Sequence, residues 1–405
     1  MCIELLHFHI NEDGLMTSIV RLAALSVLAT SINVAEATDQ PAIEIGGASS
    51  ANTAETAQPM FKFGGFGTLG VSHSSQGLGD YVLDSTLPKG PGRSRNWSAS
   101  NDSRIGVQAT ANFTPEVSAV FQMISEYQAD STYRPTVEWA NVKYAFTSDA
   151  YIRAGRIALP TFLNSDSRKV GYSYPWIHPP AGLYRQLSMT NSDGLDASYR
   201  FGIGGADNSI KIIYGRGKNE RPTSTSFSRN LWGIFDTFEY GSTTLRVGYQ
   251  ERESSSHNHL TGVTGAWVRN SDLSIGASYD PGGWFAISEW IQRKSTTKID
   301  AIYISAGYRI DKITPYLTYD QNSPASFLPG SPAPTATTIQ NAKRSQSAVS
   351  MGVRWDFMKK ADFKLQYDQI HLSDNSNGYL ANVPAGFTLY GTRFHVISTV
   401  LDFVF

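Results

Sequence analysis

The chain ends in TRFHVISTVLDFVF, Thr392 to Phe405, which alternates residue by residue and stops on an aromatic side chain. One parity carries Ile397, Thr399, Leu401, Phe403 and Phe405; the other places Ser398 and Asp402 among valines. Successive strand residues point to opposite faces, so this segment has one greasy face and one mixed face. A lipid-facing barrel strand has that pattern, and so does a half-buried strand closing a soluble domain.

The opposite end favours export. Arg21, the apolar run Leu22 to Ala29 and Ala35-Glu36-Ala37 form a positive region, a short apolar core and an A-x-A cleavage site. This leader starts best at Met16, which makes Met1 to Leu15 an upstream misread start and removes Cys2, His7 and His9 as functional candidates. Cleavage after Ala37 leaves no cysteine. The full chain has 34 Lys+Arg and 35 Asp+Glu; the removed part holds Arg21 against Glu4, Glu12, Asp13 and Glu36, so the mature chain is slightly basic. Such a balance gives no reason to expect nucleic acid. Later apolar runs fall short of the roughly 20 residues a spanning helix needs, so the exported chain is soluble or crosses a membrane as strands. Three segments are expected: 1–37 as upstream start and leader, 38–59 as a low-hydrophobicity periplasmic lead-in, and 60–405 as the folded body.

With 20 Tyr, 20 Phe, 8 Trp and 35 Gly but a negative mean hydropathy, the body combines many aromatics with a polar average, as amphipathic strands would. Val349, Met351, Val353, Trp355 and Phe357 interleave with Ser350, Gly352, Arg354 and Asp356; Phe363, Leu365 and Tyr367 alternate with Lys364, Gln366 and Asp368. Ile302, Ile304, Ala306 and Tyr308 stand opposite Tyr303, Ser305 and Arg309. So many strands with one charged face favour a water-filled lumen.

Turn formers set the count. Short connectors fall at Phe113–Glu116, Thr147–Asp149, Gly204–Asp207, Tyr240–Ser242, Asp280–Gly283, Asp311-Lys312 and Met358–Lys360. Longer polar stretches separate them at roughly 75–100, 129–134, 159–192, 218–228, 254–265, 295–298, 322–345 and 373–391. Short and long connections alternate without a parity error if Trp267 to Asp280 is one strand. The expected fold is an all-β, 16-stranded antiparallel transmembrane barrel with both ends at the short-turn rim, large enough to leave an aqueous channel.

Two motifs carry a family resemblance. Asp102-Ser-Arg-Ile-Gly-Val107 resembles the second-strand motif of Gram-negative general porins, and Arg153-Ala-Gly-Arg156 resembles the end of their fifth strand. The last residues, with Leu401, Phe403 and Phe405, resemble the C-terminal signal by which outer-membrane barrels are recognised for insertion. The loop text Val170 to Pro180, followed by Tyr184-Arg185, is similar to a porin branch with a Tyr-Pro-Trp-x-x-Pro-Pro loop, and departs from the Pro-Glu-Phe-Gly loop of the enterobacterial members. The resemblance implies a bacterial outer-membrane location, a long third loop folded into the lumen, a homotrimer, insertion by the barrel assembly machinery, and contact with membrane lipid and lipopolysaccharide. It places Arg104 and Arg156 in an arginine ladder at the constriction, with Arg185 as a third member. Between 160 and 192 lie Arg168, Lys169 and Arg185 against Asp166 alone, so a weak anion preference is expected, with Asp166 the opposing charge. Arg153 lies on the opposite parity from Arg156 and needs a bulge or the periplasmic rim if Arg156 faces the lumen.

Phe162, Tyr172, Tyr174, Trp176 and Tyr184 either form a track for sugars or aromatic acids or brace the folded loop, which Pro175, Pro179 and Pro180 stiffen. His178 reads as loop packing, with a pH-dependent conductance as the consequence if it titrates. Signatures of hydrolases, metalloproteases and nucleotide-binding loops are missing. His257-x-His259 lacks a third ligand, and Ser398 and His395 fall on opposite parities, so no catalytic group, metal or cofactor is expected. Passive admission of small hydrophilic solutes is the favoured function. The alternatives are a channel selective for a sugar, phosphate or organic acid, and a non-conducting barrel acting as an adhesin or enzyme.

Overall fold

A computed structural model of the chain describes residues 60–329 and 343–405, so the expected leader and lead-in lie outside the described residues. Sixteen long strands form the body. The first four are β1 (Phe61–Ser74), β2 (Arg104–Asn112), β3 (Val117–Glu126) and β4 (Thr136–Ala145). Then follow β5 (Ala150–Ala158), β6 (Asn191–Ile203), β7 (Ala206–Arg221) and β8 (Ser224–Tyr240). The next are β9 (Thr243–Asn258), β10 (Val268–Tyr279), β11 (Trp284–Lys294) and β12 (Thr297–Tyr308). The last are β13 (Ile313–Asn322), β14 (Gln346–Met358), β15 (Ala361–Leu372) and β16 (Arg393–Val404). Each pairs antiparallel with its sequence neighbours, and β1 pairs with β16 from Phe66↔Val404 to Ser74↔Val396, which closes the barrel.

Trp267 to Asp280 is indeed one strand, because Asn270 and Asp272 sit on its inner face, where polarity belongs. Two expected long loops are tight turns instead. The polar text of 218–228 continues the β7–β8 ladder and leaves Pro222-Thr223 as the turn, and Ser295-Thr296 joins β11 to β12. Side-chain polarity marks where a strand leaves lipid; it does not stop backbone pairing.

Alternation sorts the faces. Ile105, Val142, Leu195, Ile212, Leu317 and Met351 project outward and exposed, whereas Gln122, Asp196, Gln250, Asp272, Glu289 and Asp368 are buried inside. Tyr240, Tyr279, Trp284, Tyr308 and Trp355 ring the short-turn rim on the outside, the position of an interfacial aromatic girdle.

The seam explains the aromatic terminus. Phe405 exchanges both backbone hydrogen bonds with Gly65 at 3.0 Å, and Gly67 pairs with Phe403. A Cβ at Gly65 would lie 2.3 Å from the Phe405 ring and 2.7 Å from Gly106 O; one at Gly67 would lie 2.3 Å from the Phe403 ring. The outside of β1 at Gly65 and Gly67 is therefore filled by the chain's own terminal rings. Gly67→Ala should destabilise the barrel by about 1–3 kcal/mol through overpacking, and the penalty should shrink in a Phe403→Ala background. Urea unfolding of the single and double variants, followed by the heat-modifiable shift on gels, measures it.

Candidate functional site

The third loop, 159–190 between β5 and β6, crosses the lumen. Irregular backbone at membrane depth must find partners inside the protein, and the barrel wall supplies them. Arg246 of β9 donates to Phe162 O at 2.8 Å, and Glu289 of β11 accepts from Leu163 N at 2.7 Å. Asp320 of β13 accepts from Gly182 N at 2.8 Å, Gln366 of β15 from Ile177 N at 3.2 Å, and Lys364 donates to Gly171 O at 2.7 Å. Gly171 and Gly182 serve these contacts by close approach: a Cβ there would lie 2.0 Å from Asp402 Oδ1 and 2.1 Å from Asp320 Oδ1.

Between the pins the loop buries a greasy face. Phe162, Tyr174, Trp176, Leu183 and Tyr184 pack with Ile213, Phe235, Phe285 and Tyr303 of the wall. Trp176 Nε1 donates to Ser305 Oγ at 2.8 Å, and the Tyr184 and Tyr303 hydroxyls both donate to Glu289 Oε1 at 2.8 Å. These aromatics brace the loop; Tyr172, half-buried, donates to Lys359 O at 2.7 Å. None of Tyr174, Trp176 and Tyr184 is more than 3% exposed, which leaves little surface for a solute track.

The five basic residues singled out from sequence separate into three places. Arg104, Arg168 and Lys169 line one cavity of about 100 Å³ between the loop after β1, the start of β2, the end of β3 and the third loop. Lys169 is paired with Glu126 at 2.5 Å, and Arg168 lies 3.6 Å from Asp84 while donating to Leu187 O and Tyr184 O. Arg104 stands opposite Glu126 in the β2–β3 register, yet among the described residues its guanidinium has no hydrogen bond or ion pair. Arg185 is elsewhere: it donates to Val82 O at 2.6 Å and stacks 4.4 Å from the Tyr379 ring, bracing the loops after β1, β5 and β15 against each other.

Arg156 departs furthest from expectation. It is in register with Asp193 and Ala140, on the parity of the exposed Leu195 and Val142, and its ion pair with Asp193 at 2.7 Å lies on the outer face. Strict alternation therefore gives the lumen to Arg153, which pairs with the buried Asp196, and no bulge or rim position is required.

Asp166 does not face Arg104 either. Burial alone would raise its carboxyl, but Lys211, Arg153 and Arg246 hold it below the usual carboxylate range, which places it over a second basic stretch of wall. The acids beside Arg104 are Glu126 and Asp84. Neither has a sequence signal beyond lying next to a strand end or in a loop, and Glu289, which pins the loop, is one more inward carboxylate among many.

His178 is buried 3.1 Å from Asp102 Oδ1. Burial and Arg104 push its pKa down, but Asp102 and Asp368 prevail, and the net shift is upward. Its charged contact is therefore complete below the ordinary imidazole value of about 6.5 and is lost as pH rises through the raised pKa. Channel currents should become noisier on going from pH 6.5 to alkaline conditions, and His178→Gln should abolish the change. Glu289→Ala orphans Leu163 N and two hydroxyls, at about 1–3 kcal/mol per group; single-channel recording should show larger, fluctuating conductance.

A family model for Gram-negative porins matches residues 42–375. No curated protein shows significant sequence similarity. Among solved structures, the anion-selective porin from Comamonas acidovorans has 13% identity and a TM-score of 0.56, with 85% of this chain and 99% of that chain covered. The channel DcaP of Acinetobacter baumannii has 10% identity and a TM-score of 0.54, covering 85% and 97%. OmpT, an outer-membrane protein of Vibrio cholerae, has 15% identity and a TM-score of 0.52, also covering 85% and 97%. Likeness at such low identity concerns the fold alone, and the match of the family model over most of the chain settles membership: this protein belongs to the Gram-negative porin family and is an outer-membrane β-barrel channel.

Proposed function

We propose that the chain is a passive pore for small hydrophilic solutes with a weak preference for anions. The observation that carries the preference is the cavity beside the third loop, where Arg104, Arg168 and Lys169 meet Glu126 and Asp84 and where, of the three cations, Arg104 has no hydrogen bond or ion pair among the described residues. Glu126, Asp102 and Asp402 lie within electrostatic reach of Arg104, and a narrow neck whose cation keeps a donor fork free lowers the barrier for anions and raises it for cations. Arg153, Lys211 and Arg246, gathered near Asp166, extend the basic surface along the wall. In planar bilayers with a salt gradient, the reversal potential should report anion selectivity that Arg104→Ala weakens, whereas Arg156→Ala leaves it unchanged. Cation selectivity in the native chain would contradict the proposal.

The working assembly is proposed to be a homotrimer, inserted by the barrel assembly machinery through the C-terminal signal of Leu401, Phe403 and Phe405. Small side chains on the outside of β2 to β5, Ala109, Ala111, Ala119, Ala140 and Ala154, form with Phe61 and Phe63 an apolar depression of about 420 Å³ that suits a second copy. Outward ion pairs such as Lys218–Glu220 and Arg229–Glu253 suit the polar layer of lipopolysaccharide. A large charge in the depression, Ala119→Arg, should convert the oligomer band on unheated gels to monomer while the barrel stays folded.

A further inference from the structure

The cavity beside Arg104 has features that a general anion funnel does not require. Its volume of about 100 Å³ compares with roughly 150 Å³ for a cavity that holds a six-carbon ring, so it accommodates about four to six non-hydrogen atoms. Its three cations are not equivalent. Lys169 is committed to Glu126, and Arg168 to Asp84 and two backbone carbonyls, which leaves Arg104 as the one available to a carboxylate.

Three residues before Arg104, Asn101 also lines the cavity and is 7% exposed. Its Nδ2 donates to Tyr81 O at 3.3 Å, which fixes the orientation of the amide and leaves Oδ1 as a buried acceptor with no partner among the described residues. An orphaned buried acceptor has lost its water without gaining a partner, and a ligand that brings a donor restores the bond. Neighbouring hydroxyls do not compete for that role: Ser103 Oγ is engaged with Gly70 N and O, and Ser100 Oγ donates to Lys89 O. Leu83, Leu87 and Ala181 supply an apolar wall.

We propose that this cavity is a binding site for short 2-hydroxy monocarboxylates, with Arg104 taking the carboxylate, Asn101 Oδ1 accepting the hydroxyl, and the leucines enclosing a methyl group. One free guanidinium selects a monoanion over a dianion. An amino group in place of the hydroxyl would bring a second cation beside Arg104, Arg168 and Lys169, which the surrounding charge opposes. This assignment rests on the proposed anion-conducting pore and refines it.

Lactate and propionate provide the test, because they differ by the hydroxyl alone. Each is titrated into chloride currents through the reconstituted mature chain at constant ionic strength. Lactate should block saturably, with a half-blocking concentration about fivefold below that of propionate, the discrimination one net hydrogen bond supports. Asn101→Ala should bring lactate to the propionate level, and Arg104→Ala should weaken block by both. Equal block by the two acids, tighter block by alanine than by lactate, or no saturation in a channel that remains anion-selective overturns the site and leaves the pore reading intact. Loss of anion selectivity in the native chain instead overturns that reading. The native comparison of lactate with propionate stands whether or not either variant folds.

Discussion

Closure between β1 and β16 is the contact on which the rest of the structure depends. In lipid an open sheet edge would leave a row of backbone donors and acceptors with neither water nor protein to bond, so β1 has to find the last strand of the chain. The register runs from Phe66↔Val404 to Ser74↔Val396, and Phe405 adds a further backbone pair with Gly65. Glycines on one side of the seam and phenylalanines on the other complete it by filling one another's space. Only a closed wall gives the inner residues fixed positions, and the loop that crosses the lumen depends on those positions.

The crossing loop follows the same rule at smaller scale. Its helical content is a 3-10 turn at Gly171–Ser173 and one α-helical turn at Ala181–Tyr184, so most of its backbone polar groups must be met from outside. Glu289, Asp320, Gln366, Arg246 and Lys364, from four different strands, meet them around the circumference. The aromatic side of the loop then seals against β7 to β13, and the remaining opening is displaced toward β2 and β3. The proposed anion preference follows from how the loop is held: ion pairs and backbone carbonyls engage Arg168, Lys169 and Arg185, and Arg104 is left without a hydrogen bond or ion pair among the described residues.

The barrel was legible in the sequence because alternation and turn chemistry are local. Val349 to Phe357, Phe363 to Tyr367 and the last fourteen residues sort their faces as the parity predicts, and the strand count follows from turn formers. Strand ends were less legible, since β7 and β8 carry polar residues past the bilayer and still pair. Side-chain roles at the neck were legible only in part. Motif position alone puts Arg156 in the lumen, whereas the face it occupies is set by register against Asp193 and Ala140. Glu126, Asp84 and Glu289 reach the third loop only through partners more than forty positions away, a relation that no single-sequence pattern encodes.

The central claim is that Arg104 faces the conducting path and Arg156 does not. Residues 38–405 contain no cysteine, so in that segment Arg104→Cys and Arg156→Cys can each be exposed to a charged, water-soluble thiol reagent during current recording. Modification at 104 should cut the conductance in steps, while a thiol at 156 should leave it unchanged. Current block at 156 with none at 104 would contradict the account.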